Sequence, residues 1–271
     1  MYSIIAIGRA ERFSPNSVEK DAAILKSVCN EICSCGVEIK NEKELDGSDA
    51  FSLYLSMGRL SETLTLLAEK QQGGAVVVNT PEAVALCCNR RRLNDVLKLA
   101  GVPLAPEKGE HGYWLKRADG VAESKLDVQF ATDETEAIEV MTRMRAAGVG
   151  DILKCAHVEG DLLKFYGVRG TDFFRYYYPG DDGNWKFEDE ARNGKPQHYE
   201  FGVDELTAVA DKAAEAAGLD VYGGDCIVRA DGTFCIIDLN DWPSFSRCKT
   251  EAAKAIAMLV KEKMESMGSL K

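Results

Sequence analysis

The chain has 271 residues, 45% of them hydrophobic and 28% charged, with a formal net charge of −11. That length supports a substantial core and more than one lobe. The acidic balance argues against non-specific nucleic-acid binding and against docking on an anionic membrane, and no apolar run is long enough to cross a bilayer.

Read from the start, Tyr2-Ser-Ile-Ile-Ala-Ile7 is a buried-type strand with no basic lead and no cleavage site before it. The loop Gly8–Asn16 follows, and Ser17 opens a helix whose apolar positions Val18, Ala22, Leu25, Val28 and Ile32 recur at helical spacing until Gly36. Val37–Lys40, Phe51–Leu55 and Ala75–Val78 are three further strands, with a helix through Lys70 ahead of the last. Strand–helix–strand repetition of this length predicts a small doubly wound parallel sheet over residues 1–80. In such sheets ligands gather beyond the carboxyl ends of the strands, where this chain carries Arg9 after the first strand and Arg59 after the third. Two arginines there suit a bidentate grip on a small acidic substrate; the competing reading is a pair of ordinary surface residues.

Thr80-Pro81 is a helix start with proline in the first turn. Arg90-Arg-Arg92 beyond it reads as a solvated helix face. Gly112–Arg117 is a strand on which Lys116 and Trp114 share a face, and the loop after it, Ala118-Asp-Gly120, leaves Lys116 placed to meet phosphate as a point charge. An N-capped helix starts near Thr132, and Asp151–Asp161 is extended. Leu162–Arg169 and Asp172–Tyr178 form a hairpin, residues 179–199 a polar, mobile loop, and Val203–Ala217 and Thr250–Met267 two helices.

Between those last helices lies Gly223-Gly-Asp-Cys-Ile-Val-Arg-Ala-Asp-Gly-Thr-Phe-Cys-Ile-Ile-Asp-Leu-Asn-Asp-Trp-Pro-Ser-Phe245, two strands joined by the turn Ala230-Asp-Gly232. A hairpin brings the start of its first strand beside the end of its second, so Asp225, Asp238 and Asn240 converge, the last two on one face. Two carboxylates and an amide oxygen are hard donors suited to Mg2+ (or Mn2+) that keeps waters for phosphate ligands. Strand-end capping in solvent is the bland alternative. The apolar run Cys235-Ile-Ile237 just before Asp238 favours the cation, because a lone acid there is costly to bury.

This hairpin resembles the last metal-binding hairpin of the ATP-grasp superfamily, in the flavour of the ribosomal-protein glutamate ligases and glutathione synthetase, with Asp238 where those enzymes carry a glutamate. The stretch from Asn79-Thr-Pro-Glu82 to Gly101-Val-Pro-Leu-Ala-Pro106 is similar to the same superfamily's entry segment. The resemblance spans nearly the whole chain. It implies an N-terminal α/β lobe (1–80) and a two-subdomain α+β ATP-grasp domain (81–271), with a lid at about 107–158 and a metal-binding subdomain at about 159–271. Arg90 and Lys116 would contact the ATP phosphates. Cys155, Ala156, His157 and Val158 would be the hinge that reads adenine through its main chain, His157 packing rather than acting as a base. Asp161, or less favourably Glu159, would meet the ribose, and Lys164 and Arg175 would face phosphate or an acyl phosphate.

The activity so implied is an ATP- and Mg-dependent ligation of a carboxylate to an amine through an acyl phosphate, releasing ADP. A kinase of the inositol-phosphate type and a non-catalytic ATP-binding protein are the alternatives. Nine cysteines without paired spacing are expected to be reduced thiols in a cytoplasmic protein, with Cys29, Cys33 and Cys35 an unfavoured metal site for want of a nearby histidine. Oligomeric state stays open, a homodimer included.

Overall fold

The structure, a computed structural model, describes residues 3–33, 36–121, 124–182 and 192–268. Tyr2, Cys35 and residues 183–191 of the 179–199 loop, on which expectations were placed, lie outside the described residues.

The N-terminal lobe is built from β1 (Ile4–Gly8), α1 (Val18–Ile32), β2 (Glu38–Asn41), β3 (Leu53–Ser56), α2 (Ser61–Gln72) and β4 (Val76–Val78). Its strands are all parallel, in the order β2-β1-β3-β4, so the chain reverses its winding between β1 and β3. Successive residues Ile5, Ala6 and Ile7 are fully buried because helices cover both faces. α2 packs on one face against Ile5, Ile7, Tyr54 and Val77, while α1 covers the other.

Two short helices lead out of this lobe. Thr80 caps α3 (Pro81–Cys87) by accepting from the Ala83 N–H, and Asn89 caps α4 (Arg90–Leu99) by accepting from Arg92. The segment expected as the lid forms the antiparallel sheet β6-β5-β7 backed by α5 (Glu134–Ala146), with β5 at Tyr113–Arg117, β6 at Val128–Ala131 and β7 at Ile152–Ala156. The third sheet, in the order β11-β10-β8-β9, is antiparallel: β8 (Asp161–Val168), β9 (Phe174–Tyr177), β10 (Val221–Val228) and β11 (Phe234–Asp241). α6 (Val203–Ala217), α3 and α4 cover one face of it.

α7 (Lys249–Gly268) closes the chain and packs against α1 in one hydrophobic core that also takes in β3, Val168 and Val221. The N-terminal lobe and the large sheet therefore share a single core. Asn79 reinforces the seam: its amide oxygen accepts from the Asp220 and Val221 N–H groups and its nitrogen donates to the Val221 carbonyl, all within 2.9 Å. Cys29, Cys87, Cys88, Cys155, Cys226, Cys235 and Cys248 are free thiols, as expected. Cys33 corrects that reading, because it is disulfide-bonded. Among the described residues, no helix is long and apolar enough to cross a membrane.

Candidate active site

The hairpin β10–β11 turns at residues 230–232, where Gly232 supplies the left-handed φ of 82°. Its register places Asp225 opposite Asp238 and Gly223 opposite Asn240, and on its other side Asp225 lies opposite Lys164 of β8. Cross-strand partners share a face, so Lys164, Asp225 and Asp238 form one row, with Asn240 two residues further along the same face. The Lys164 ammonium stands 3.3 Å from Asp225, and the Asn240 amide nitrogen 3.4 Å from Asp238. Gly224 makes the row possible. A Cβ there would sit 2.4 Å from the Asp238 carbonyl and 2.4 Å from the Phe165 ring.

Two carboxylates directly opposite one another repel unless a cation lies between or beside them. Asp225 is 23% exposed, so the row opens to solvent. The donor set of two carboxylates and an amide oxygen fits a hard divalent ion that draws its remaining ligands from water and phosphate. Among the described residues no group of three or more His, Cys, Asp or Glu could hold a metal by itself.

Lys116 reaches this strand from the lid. The register shifts between Asp225 and Cys226, so Ile237 has no cross-strand partner. Its carbonyl, out of the ladder, accepts from the Lys116 ammonium at 2.9 Å. Lys116, Cys155, Ile237, Asp238 and Arg90 line a cavity of about 50 Å³ between lid and large sheet. Arg90 bridges α4 to the lid by donating to the Arg117 carbonyl, and Arg91 holds Asp151 with a two-point contact. Arg90 is thus on the cavity wall, not merely a solvated helix face.

The segment expected as the hinge has several partners of its own. The Ala156 N–H donates to Pro106 and the His157 N–H to Gly112, while the Val158 carbonyl accepts from Asn193 at 3.3 Å. These main-chain groups are engaged within the protein. His157 accepts from the Trp114 indole at 3.1 Å and packs edge-on against Phe130, over which Arg192 stacks at 3.5 Å. Burial, and then the Arg192 charge, hold the His157 pKa below its ordinary value, so the ring is a packed neutral acceptor. Asp161 has partners within the protein. Its buried carboxylate accepts the Gln197 and Tyr199 N–H groups at 2.7 and 2.9 Å, anchoring the 192–199 segment, whereas Glu159 is exposed and stands 3.3 Å from the His111 ring. Arg175 stands on edge strand β9 in the cross-strand row of Asn240 (through Gly223 and Tyr166), two residues along the same face from the Lys164–Asp238 row, and is paired with Glu251 of α7.

The arginines of the N-terminal lobe depart furthest from expectation. Arg9 pairs with Asp21 at 3.3 Å and donates to the Trp242 carbonyl at 2.5 Å. Arg59 grips Asp241 at 2.5 and 3.2 Å, and the two side chains are 10% and 1% exposed. The crevice between β1 and β3 holds the Glu42 carboxylate, which accepts the N–H groups of Ala10, Arg59 and Leu60 at 2.5–2.7 Å. Gly58 leaves room for it, since a Cβ there would lie 3.0 Å from the carboxylate and 2.8 Å from Thr63. The chain fills its own anion site, and neither arginine presents a guanidinium for an outside acid. Glu42 and Asp241 were overlooked from sequence. Strand alternation was the available signal for Asp241, since it must face away from Asn240.

No family model matches this chain, and no curated protein matches it. Solved structures do. The chain is similar to a RimK domain ATP-grasp protein from Sphaerobacter thermophilus, 18% identical with a TM-score of 0.64 over 94% of this chain and 98% of that one. It is also similar to the D-alanine–D-alanine ligase of Bacillus anthracis complexed with ATP, 10% identical with a TM-score of 0.65 over 100% and 99%. A third is the D-cycloserine synthetase DcsG, 16% identical with a TM-score of 0.63 over 94% and 99%. The overlap spans the parallel sheet and both antiparallel sheets of this chain, and this chain has the ATP-grasp fold.

Proposed function

We propose that this protein is an ATP- and Mg-dependent ligase that joins a small carboxylate to an amine. The observation that carries the reading is convergence on one strand: Asp238 and Asn240 of β11 face Asp225 and Lys164 across the sheet, and Lys116 binds the same strand from the lid. Bound there, Mg2+ would neutralise phosphate oxygens and orient them for in-line transfer. Lys116 exchanges the Ile237 carbonyl for a phosphate oxygen, Arg90 stands beside it, and Lys164 places a second ammonium at the transferred group. Glu159 takes the place of Asp161 as the acid beside the ribose.

A substrate carboxylate oxygen attacks the γ-phosphorus while the bond to the ADP oxygen breaks. The amine nitrogen then attacks the acyl carbon, phosphate leaves, and the nitrogen gives up a proton. Positioning and charge stabilisation supply the catalysis, so no side-chain nucleophile is required. With Arg9 and Arg59 committed internally, the acid is placed on the α7 side of the sheet, where Arg175 and Arg247 flank Phe173 and Tyr177.

ADP release measured over pooled carboxylates, with and without pooled amines, tests the reading. Amine-dependent release supports a ligase. Amine-independent release with a stable phosphorylated product makes it a kinase, and ATP binding without release makes it a nucleotide-binding protein.

A further inference from the structure

Two features make the carboxyl end of β11 weakly determined by its own sheet. Among the described residues its ladder neighbour is β10, with a single parallel bridge from Ile236 to Leu104 on the other side that does not reach Asp238, and its register is interrupted at Ile237. Beyond Asp241 the backbone turns through left-handed conformations at Trp242 (φ 37°) and Phe245 (φ 48°). Yet this is the strand that carries Asp238 and Asn240, whose oxygens must hold position to within a fraction of an ångström to bind an ion.

The missing constraint comes from the N-terminal lobe. Asn240 and Asp241 point to opposite faces, so a hold on Asp241 acts directly behind Asn240. Arg59 supplies it with a two-point fork, which fixes orientation as well as distance, and Arg9 pins the next carbonyl, that of Trp242. Arg59 is itself fixed, because Glu42 holds the N–H groups of Arg59 and Leu60 and ties them to Ala10 at the end of β1. Burying such a pair costs desolvation energy that largely offsets its attraction, so its main return is geometry rather than stability.

We infer that Arg59, backed by Glu42, is a positioning residue for the cation site: the lobe expected to grip substrate instead clamps the strand that presents Asp238 and Asn240. The inference rests on the metal reading given above, and the test separates the two. Mn2+ alone is titrated into the full-length protein and its free signal followed by electron paramagnetic resonance, for wild type, Asn240→Ala and Arg59→Lys, well below each melting temperature. Lysine keeps the charge and loses the fork.

The expected result is Mn2+ affinity about tenfold weaker in both variants, as for loss of a group that orients a metal ligand, with the melting temperature of Arg59→Lys near that of wild type. Wild-type Mn2+ affinity in Arg59→Lys beside a weakened Asn240→Ala overturns the clamp and leaves the metal site standing. Wild-type affinity in Asn240→Ala overturns both. Should Arg59→Lys not fold, the double variant Arg59→Met with Asp241→Leu carries the same test, since it leaves no orphaned buried charge.

Discussion

The molecule holds two charged clusters at strand ends, and they differ in one respect that decides their roles. At the edge of the parallel sheet, Arg9 and Arg59 meet Asp21, Glu42 and Asp241 in a buried network where each charge has a partner inside the protein. At the end of the large sheet, Asp225 and Asp238 face each other with Lys164 alongside, in a row that reaches solvent. The first cluster is closed within the protein; in the second, two carboxylates stand opposite one another where the sheet opens to solvent. Charge at a strand end marks a ligand site only where the protein has not already supplied the ligand, and Glu42 has done so in the crevice between β1 and β3.

The sharpest way to break this contrast is Asp238→Asn. It removes a charge from the open cluster while preserving shape, so Mg-dependent ADP formation should fall by orders of magnitude with the circular dichroism spectrum unchanged. Near-normal turnover would return Asp238 to a strand cap.

Glu42→Ala probes the closed cluster and should act on stability instead. Three N–H groups lose a buried acceptor and two nearby arginines lose a counter-charge, so unfolding in urea should show a loss of about 3–5 kcal/mol. A loss under about 1 kcal/mol would mean that water replaces the carboxylate and that the crevice is open after all.

A smaller effect is expected for Lys116→Ala. Calorimetry should show ATP binding weakened by about tenfold or more, the worth of one charge-assisted contact at roughly 1.5–3 kcal/mol. Apo stability should change little, because the Ile237 carbonyl it leaves lies beside the cavity, where water can reach it. Unchanged ATP affinity would remove Lys116 from the nucleotide site.

The smallest effect is a pH dependence. Burial depresses the His157 pKa, so its contribution to stability is fully present above the ordinary histidine value of 6.5 and is lost as pH falls through the lower folded value. Acid unfolding should therefore begin at lower pH in His157→Gln than in wild type. Identical acid limbs would show that the aromatic cluster of Trp114, Phe130 and Arg192 tolerates a charged ring.

Much of this architecture was legible in the order of residues. Alternation of apolar strands with amphipathic helices determined the parallel lobe, and Thr80-Pro81 set a helix start to the residue. The turn at 230–232 determined a hairpin with Val228 opposite Phe234, but that pairing carried onward would set Asp225 against Ile237; the bulge at Ile237, which the turn does not encode, is what brings Asp225 to Asp238. Tertiary structure alone decided which polar groups would be consumed internally. Arg59 and Asp241 are 182 residues apart, and Arg9 and Trp242 are 233 apart. Asp161 is taken by main-chain N–H groups at 197 and 199, and the hinge N–H groups by carbonyls at 106 and 112. Periodicity reports which face of an element a side chain occupies. What meets that face depends on how separate elements pack, and that is settled by the shared core of α1 and α7, which no local pattern encodes.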